Sequence, residues 1–123
     1  MNTKIKYMYR DADNYKDFTT VVVSGKITKE QIERIMAKLE DGENFIPEQL
    51  GLPANRLNDY AYDPEVDHPY CELGDGNFED TDSEPTIDMT VDELVAKFEA
   101  VEKWDESLNV FEGRPVRCAA EQN

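Results

Sequence analysis

The sequence predicts an α+β fold: a small, mostly antiparallel sheet with two amphipathic helices packed on one face and a long acidic loop region. Three observations lead to this prediction. The N-terminal segment "TKIKYMY" has the two-residue period of a strand. Two later segments carry helix-capping boxes followed by apolar stripes. Residues 57–96 contain no Lys or Arg.

A β-hairpin is expected at the N-terminus. The first strand has one face predicted to be buried, because two sets of side chains alternate along it: Ile5, Tyr7 and Tyr9 against Lys4, Lys6 and Met8. The β-branched run "DFTTVVVSG" predicts a second strand that ends at Gly25. The polar connection "RDADNYK" between them favours an antiparallel hairpin with a long loop.

Two amphipathic helices follow. The first is predicted to begin after Thr28, which forms a capping box with Gln31, and to end at Gly42. Its apolar stripe is Ile32, Ile35, Met36 and Leu39. The second is predicted to begin after Thr90, which forms a capping box with Glu93. Its apolar stripe is Val91, Leu94, Val95, Phe98 and Val101.

The remaining segments are predicted to be short or irregular. "NFIPEQLGLPANRL" reads as an ordered connection that packs apolar side chains onto the core, and "SLNVFEGRPVRC" predicts a short strand around Asn109–Phe111. The chain is expected to form a single domain over residues 1–123. Its parts are the hairpin plus helix (1–56), the acidic loop region (57–89), and the second helix with the C-terminal tail (90–123).

Composition excludes several functions. The formal net charge is -15 and the pI is about 4.3, so the chain is expected to repel nucleic acid and anionic membranes and to attract basic surfaces. Its 39% apolar residues exceed what a wholly disordered chain carries. No signal peptide or membrane span is apparent, which predicts a soluble cytoplasmic protein with Cys71 and Cys118 reduced.

The negative charge is concentrated in one third of the chain. Residues 57–96 hold thirteen Asp and Glu, which is -13 of the net -15. In the second helix, Glu93 with Lys97 and Glu99 with Lys103 have the spacing of helical ion pairs. Residues 59–84 have no such local partners, so this asymmetry is the main indication of function.

A calcium loop is the first interpretation to test on the dense acidic stretch "ELGDGNFEDTDSEP". An EF-hand needs Gly at its sixth position and Glu at its twelfth. Counting from Asp75 places Asp80 and Thr86 at these positions, and counting from Asp80 places Pro85 at the sixth. The EF-hand register therefore fails.

Zinc and catalysis are not favoured either. His68 and Cys71 are two strong ligands, too few for a closed tetrahedral site. The chain has one His, no phosphate-binding glycine loop, no nucleophile elbow and no CxxC. The sequence predicts a non-enzymatic protein with no cofactor and no metal site.

Two interpretations of the acidic region stay open. It is a solubilising loop, or it is a surface that docks a basic partner by occupying sites where Lys and Arg normally hold phosphates. In the second interpretation, interleaved aromatic side chains supply anchors. The predicted partner-binding carboxylates are Asp63, Glu65, Asp67, Glu72, Asp75, Glu79, Asp80, Asp82 and Glu84. The predicted anchors are Tyr60, Tyr62 and Tyr70.

The segments "KIKYMYRDADNYK", "GENFIPEQLGLP", "DHPYCEL" and "TVDELVAKFEA" resemble a family of small acidic accessory proteins of phages, plasmids and other mobile elements. The resemblance covers most of the chain. By analogy of size and charge, it implies an anti-CRISPR or anti-restriction inhibitor, some of which are DNA mimics. It brings no catalytic motif.

The favoured hypothesis is therefore a non-enzymatic inhibitor of a basic, nucleic-acid-handling enzyme or effector complex. The alternatives are an immunity or antitoxin-like protein that neutralises a basic nuclease toxin, and an orphan adaptor whose acidic loop only solubilises. Neither the partner nor the oligomeric state follows from the sequence.

Overall fold

A long antiparallel hairpin forms one side of the sheet in the computed structural model, which describes residues 1–116. Strand β1 (Asn2–Arg10) pairs with β2 (Lys16–Val23) along its whole length. The five-stranded sheet has antiparallel ladders only, and two α-helices accompany it. The predicted α+β class with a small antiparallel sheet and two helices is confirmed.

The other edge of β1 is shared by two short strands placed end to end. Strand β5 (Phe78–Thr81) pairs with the beginning of β1, and β4 (Cys71–Glu72) pairs with its end. Strand β3 (Asn44–Phe45) pairs with β4 and completes the sheet. Both β4 and β5 lie within residues 57–89, where the sequence predicted only loop.

The buried face of β1 carries the side chains that the alternation predicts. Tyr7 is 2% exposed, and its ring meets that of Phe45 edge-on at 5.3 Å. Phe45 lies between this tyrosine and the helical side, with its ring 5.7 Å from Phe98 and 6.3 Å from Trp104. Sheet and helices therefore share one aromatic core.

Both helices begin at the predicted capping boxes. Helix α1 covers Lys29–Met36 after Thr28, and α2 covers Val91–Glu99 after Thr90. The predicted end of α1 at Gly42 is wrong. After Met36 the chain tightens into turns, and Glu40 pairs with Asn44, which directs the chain into β3.

The free edge of β2 is closed by the segment that leads into α2. The Thr86 hydroxyl accepts a hydrogen bond from the Val22 N–H at 2.8 Å, and the Thr86 N–H donates to the Val22 carbonyl at 2.9 Å. Further along, Ser24 pairs with Met89 and Val91 through backbone hydrogen bonds. The end of the acidic region is thereby attached to the sheet.

Two local predictions are wrong. Residues 109–111 form no strand, because the chain there runs through successive turns that carry Phe111 to the ring of Tyr9. In α2, Glu99 pairs with Arg34 of α1 instead of Lys103, and Glu93 closes the capping box.

Within residues 1–116, no helix is long and apolar enough to cross a membrane.

Cys71 lies in the core between β1 and β3, 1% exposed, while Cys118 lies outside the described residues. Burial raises the pKa of the Cys71 thiol to about 12. Arg56 lowers this pKa, and the charges of Glu48 and Glu72 raise it. The thiol is therefore a protonated core side chain.

In a Cys118→Ser variant, we expect iodoacetamide to leave Cys71 unmodified in the native protein at about pH 8 and to alkylate it once urea unfolds the chain. Folding raises the thiol pKa from 9.0 to about 12, so the protonated thiol stabilises the fold fully below pH 9.0. That contribution is lost as the pH rises toward 12. Mass spectrometry checks the result, and alkylation of native protein as fast as of unfolded protein would contradict it.

Candidate partner-binding surface

A buried arginine, Arg56, fastens the loop of residues 57–70 to the sheet. Its side chain is 1% exposed. Its Nη2 donates to Glu48 Oε1 at 2.6 Å and to the Pro69 carbonyl at 2.6 Å, and its Nη1 donates to Glu48 Oε2. The paired bonds form a two-pronged ion pair, the geometry that fixes both partners most firmly. Arg56 thereby joins the start and the end of the loop to residues before it.

The surroundings of Arg56 keep it charged. Burial is the largest single effect and lowers the pKa of its guanidinium, but the hydrogen bond and charge of Glu48 are among the contributions that together raise this pKa above its ordinary value. The rings of Tyr9 and Phe111 lie 6.0 Å and 5.8 Å from the guanidinium carbon. Among the described residues, its Nε–H meets no acceptor, and an unmet buried donor costs about 1–3 kcal/mol. The Arg56–Glu48 ion pair therefore fixes the position of the loop more than it adds to the net stability of the fold.

Asp67 ties the far side of the loop to the sheet. The Tyr9 hydroxyl donates to Asp67 Oδ1, and Asp67 Oδ2 accepts from the Asp63 N–H at 2.8 Å. Burial, and then the hydrogen bond and charge of Asp67, raise the pKa of Tyr9, so its hydroxyl stays a donor. Asp67 is thus a structural acceptor as well as a negative charge.

Both ring nitrogens of the single histidine, His68, are engaged. Its Nδ1 accepts from the Tyr70 N–H at 3.2 Å, and its Nε2 lies 2.7 Å from the Arg10 carbonyl. Because Nδ1 accepts, these contacts assign the proton to Nε2, which donates to the carbonyl. His68 therefore connects the loop to β1.

The C-terminal segment covers the loop from outside. The ring of Phe111 stacks on Tyr62 with centroids 4.7 Å apart. Arg114 lies over Phe111 at 5.0 Å and donates to the Arg56 carbonyl at 2.7 Å and to Asn58 Oδ1 at 2.6 Å. Residues 57–70 are consequently held on both sides.

The first candidate surface is the acidic strip, defined as Asp75, Glu79, Asp80, Asp82 and Glu84. All five side chains are exposed. Glu79 and Asp80 belong to β5, so their backbone is fixed by pairing with Lys4 and Thr3 of β1. Within residues 1–116 the strip has one ion pair, Asp80 with Lys26 at 3.5 Å, and both of its side chains are well exposed. Such a pair contributes little, so the strip keeps most of its negative charge.

The second candidate surface is the tyrosine cleft, a cavity of about 510 Å³ between the β1–β2 turn and the loop. Its aromatic side chains are Tyr15 and Tyr60, which are 66% and 69% exposed. Its acidic side chains are Asp11, Asp13, Asp63 and Asp67. An acidic cavity edged by exposed aromatic rings is suited to a cationic group.

The structure separates the predicted partner-binding residues into groups. Tyr60, Asp63 and Asp67 meet at the tyrosine cleft. The strip residues follow the chain through β5: Asp75 is in the turn before it, Glu79 and Asp80 are in the strand, and Asp82 and Glu84 come after it. Glu65 is exposed on the same loop, between Asp63 and Asp67 in the sequence. Three others serve internal contacts: Glu72 pairs with Arg10, Tyr62 stacks on Phe111, and Tyr70 is half-buried.

Sequence reasoning missed the contribution of the β1–β2 turn. Asp11, Asp13 and Tyr15 belong to "RDADNYK", which was interpreted only as a polar connection. A large aromatic side chain in a turn rich in Asp was the available signal. Its spatial partner lies more than forty positions away, which a single sequence does not reveal.

Among residues 1–116, no cluster of three or more His, Cys, Asp or Glu side chains is placed to hold a metal ion. Residues Asp75–Asn77 form a short 3-10 turn. Comparisons with protein-family models, with curated proteins and with solved structures found no match.

Replacing Arg56 by Met should lower the free energy of unfolding by about 3 kcal/mol, because Glu48 and the Pro69 carbonyl lose their partner in a largely buried site. The amides of residues 57–70 should also exchange faster with solvent. The matched control is Arg34→Met, which breaks an exposed ion pair with Glu99 and should cost far less. Urea denaturation and amide hydrogen exchange measure both, and equal effects of the two substitutions would contradict the assignment.

Proposed function

We propose that this protein is a non-enzymatic inhibitor that binds a basic, nucleic-acid-handling protein and covers its nucleic-acid-binding surface, in the manner of anti-CRISPR or anti-restriction inhibitors. It would act in the cytoplasm, where such enzymes meet DNA or RNA. One observation carries the proposal: a folded strip of five exposed carboxylates to which residues 1–116 supply one exposed ion pair, Asp80 with Lys26.

The density of charge in the strip supports binding to a cleft that normally holds phosphates. Four carboxylates occur between Glu79 and Glu84. At about 3.3 Å per residue, an extended run of this length carries about one charge per 5 Å over its two faces, because neighbouring side chains of a strand point to opposite sides. A DNA strand carries one phosphate per about 3.4 Å. A cleft that holds phosphates with Lys and Arg would therefore find charge of the same sign on this strip, at a lower density.

The attachment of the strip supports binding without a large ordering cost. β5 pairs with β1, and Thr86 and Met89 attach the following segment to β2. Fixing one free residue costs roughly 1–2 kcal/mol, so a strip already held by the fold binds with less loss. Charged groups around a binding surface mainly raise the rate of association.

The use of the polar groups supports a proposal without a catalytic role. Both ring nitrogens of His68 form hydrogen bonds with backbone groups. The loop is held by the side chains of Arg56, Tyr9 and Asp67. These groups are positioned to support a surface.

The test is a strip-neutralised variant, Glu79→Gln, Asp80→Asn, Asp82→Asn and Glu84→Gln. Wild-type protein is immobilised, proteins of the host lysate are captured, and duplex DNA is then added as a competitor. We expect a nucleic-acid-binding enzyme to be captured, displaced by the DNA, and inhibited in its nucleic-acid binding by the free protein. The variant should capture it more slowly and with a weaker salt dependence, because four charges are lost.

The matched control, Glu33→Gln, Glu102→Gln, Glu106→Gln and Glu112→Gln, removes the same charge from exposed positions outside the strip. It should behave nearly as wild type. If the strip variant binds as tightly as wild type, or if DNA and the captured protein bind together, the proposed function is wrong.

A further inference from the structure

The tyrosine cleft has walls from two distant parts of the chain. Tyr15 comes from the β1–β2 turn and Tyr60 from the loop that Arg56 fastens. Apolar floor is supplied by Leu57 and Val66. The Ala12 N–H donates to the Val66 carbonyl at 3.0 Å, which joins turn and loop directly. The cleft is therefore formed before any partner arrives.

Asp11 gives the cleft a nearly buried carboxylate. It is 8% exposed, and its Oδ1 accepts from the N–H groups of Asp13 and Tyr15, both at 2.9 Å. Its second oxygen, Oδ2, receives no hydrogen bond from the described residues. A carboxylate oxygen in a partly dry cavity gains more from a cationic donor than one in open solvent.

Among residues 1–116, two cations also line the cleft, Lys16 and Arg114. Arg114 directs its guanidinium to the Arg56 carbonyl and Asn58, and Lys16 is exposed at the start of β2. Within the described part of the chain, the lining holds four Asp side chains and these two cations. The cleft thus remains attractive to a positive group.

We propose that the tyrosine cleft binds the guanidinium or ammonium group of an Arg or Lys side chain on the partner protein. The cation lies between the rings of Tyr15 and Tyr60, and its donors reach Asp11 and Asp13. Rings and carboxylates together distinguish this cleft from the acidic strip, which offers charge without an aromatic pocket. The inference rests on the proposed function only in that the partner is basic.

The test uses the whole protein labelled with ¹⁵N and titrated with N-acetyl-arginine amide or N-acetyl-lysine amide. N-acetyl-citrulline amide is the ligand control, because it keeps the shape of arginine without its charge. We expect saturable amide shifts at Asp13, Tyr15, Tyr60 and Ala61 with both cations. The citrulline compound should leave these amides unmoved.

Variants separate the rings from the charges. Tyr60→Ala should weaken binding about fivefold, and Tyr60→Phe should retain it because the ring face remains. Asp13→Asn should weaken binding about threefold. Glu84→Gln, which makes the same charge change in the strip, should leave the affinity unchanged. Tyr60 is 69% exposed and Asp13 is exposed, so these substitutions leave the core intact.

Three outcomes would overturn the inference: no saturable shift at the cleft, equal shifts with the citrulline compound, or equal weakening by Asp13→Asn and Glu84→Gln. The failure of this inference and that of the proposed function are distinguishable. The strip-neutralised variant keeps the cleft and should still bind the arginine amide. If the cleft binds no arginine amide but neutralising the strip still slows capture of the partner, the inference about the cleft is wrong and the proposed function stands.

Discussion

Arg56 brings a charge into the space between β1 and the loop of residues 57–70, and the position of that loop depends on how the charge is satisfied. Glu48 and the Pro69 carbonyl accept its hydrogen bonds, and its own carbonyl receives Arg114. Because a buried charge without partners is very costly, the loop has one favoured position. The tyrosine cleft exists because that position brings Tyr60 beside the β1–β2 turn.

Concentrating carboxylates on one surface has a cost and a use. Their mutual repulsion destabilises the folded chain and brings no contact that the isolated protein needs. At the open edge of β5, charged side chains also prevent pairing with the strand of another molecule. One or two charged side chains would be enough to prevent such pairing. The density of the strip and its attachment to the sheet are what the proposed basic partner would require.

Much of the fold follows from local chemistry that a sequence displays. The alternation around Tyr7 and the capping boxes at Thr28 and Thr90 are complete within a few residues, so they predict β1, α1 and α2. The two-residue strand β4 has no period to detect, and its place is set by Cys71 meeting Tyr9 across the sheet. Such short strands depend on contacts between distant residues.

The candidate surface was predictable in its charge and not in its shape. The absence of Lys and Arg from residues 57–96 identified the strip directly. Arg56 gave no sign of burial, since arginines are mostly exposed. The sequence predicted that Asp67 and Glu72 are surface charges. In the structure, Asp67 accepts a hydrogen bond from the Tyr9 hydroxyl, and Glu72 forms an ion pair with Arg10. Which carboxylates remain free is decided by tertiary contacts.

Residues 57–89 form an ordered surface in this structure, and backbone ¹⁵N relaxation of the free protein measures that order. We expect order parameters of about 0.85 through β4, β5 and the Arg56-bound loop, similar to those of β1 and β2. Values below about 0.6 across this region would show a mobile acidic segment. That result would rule out a preformed surface and favour a loop whose charge only solubilises the protein.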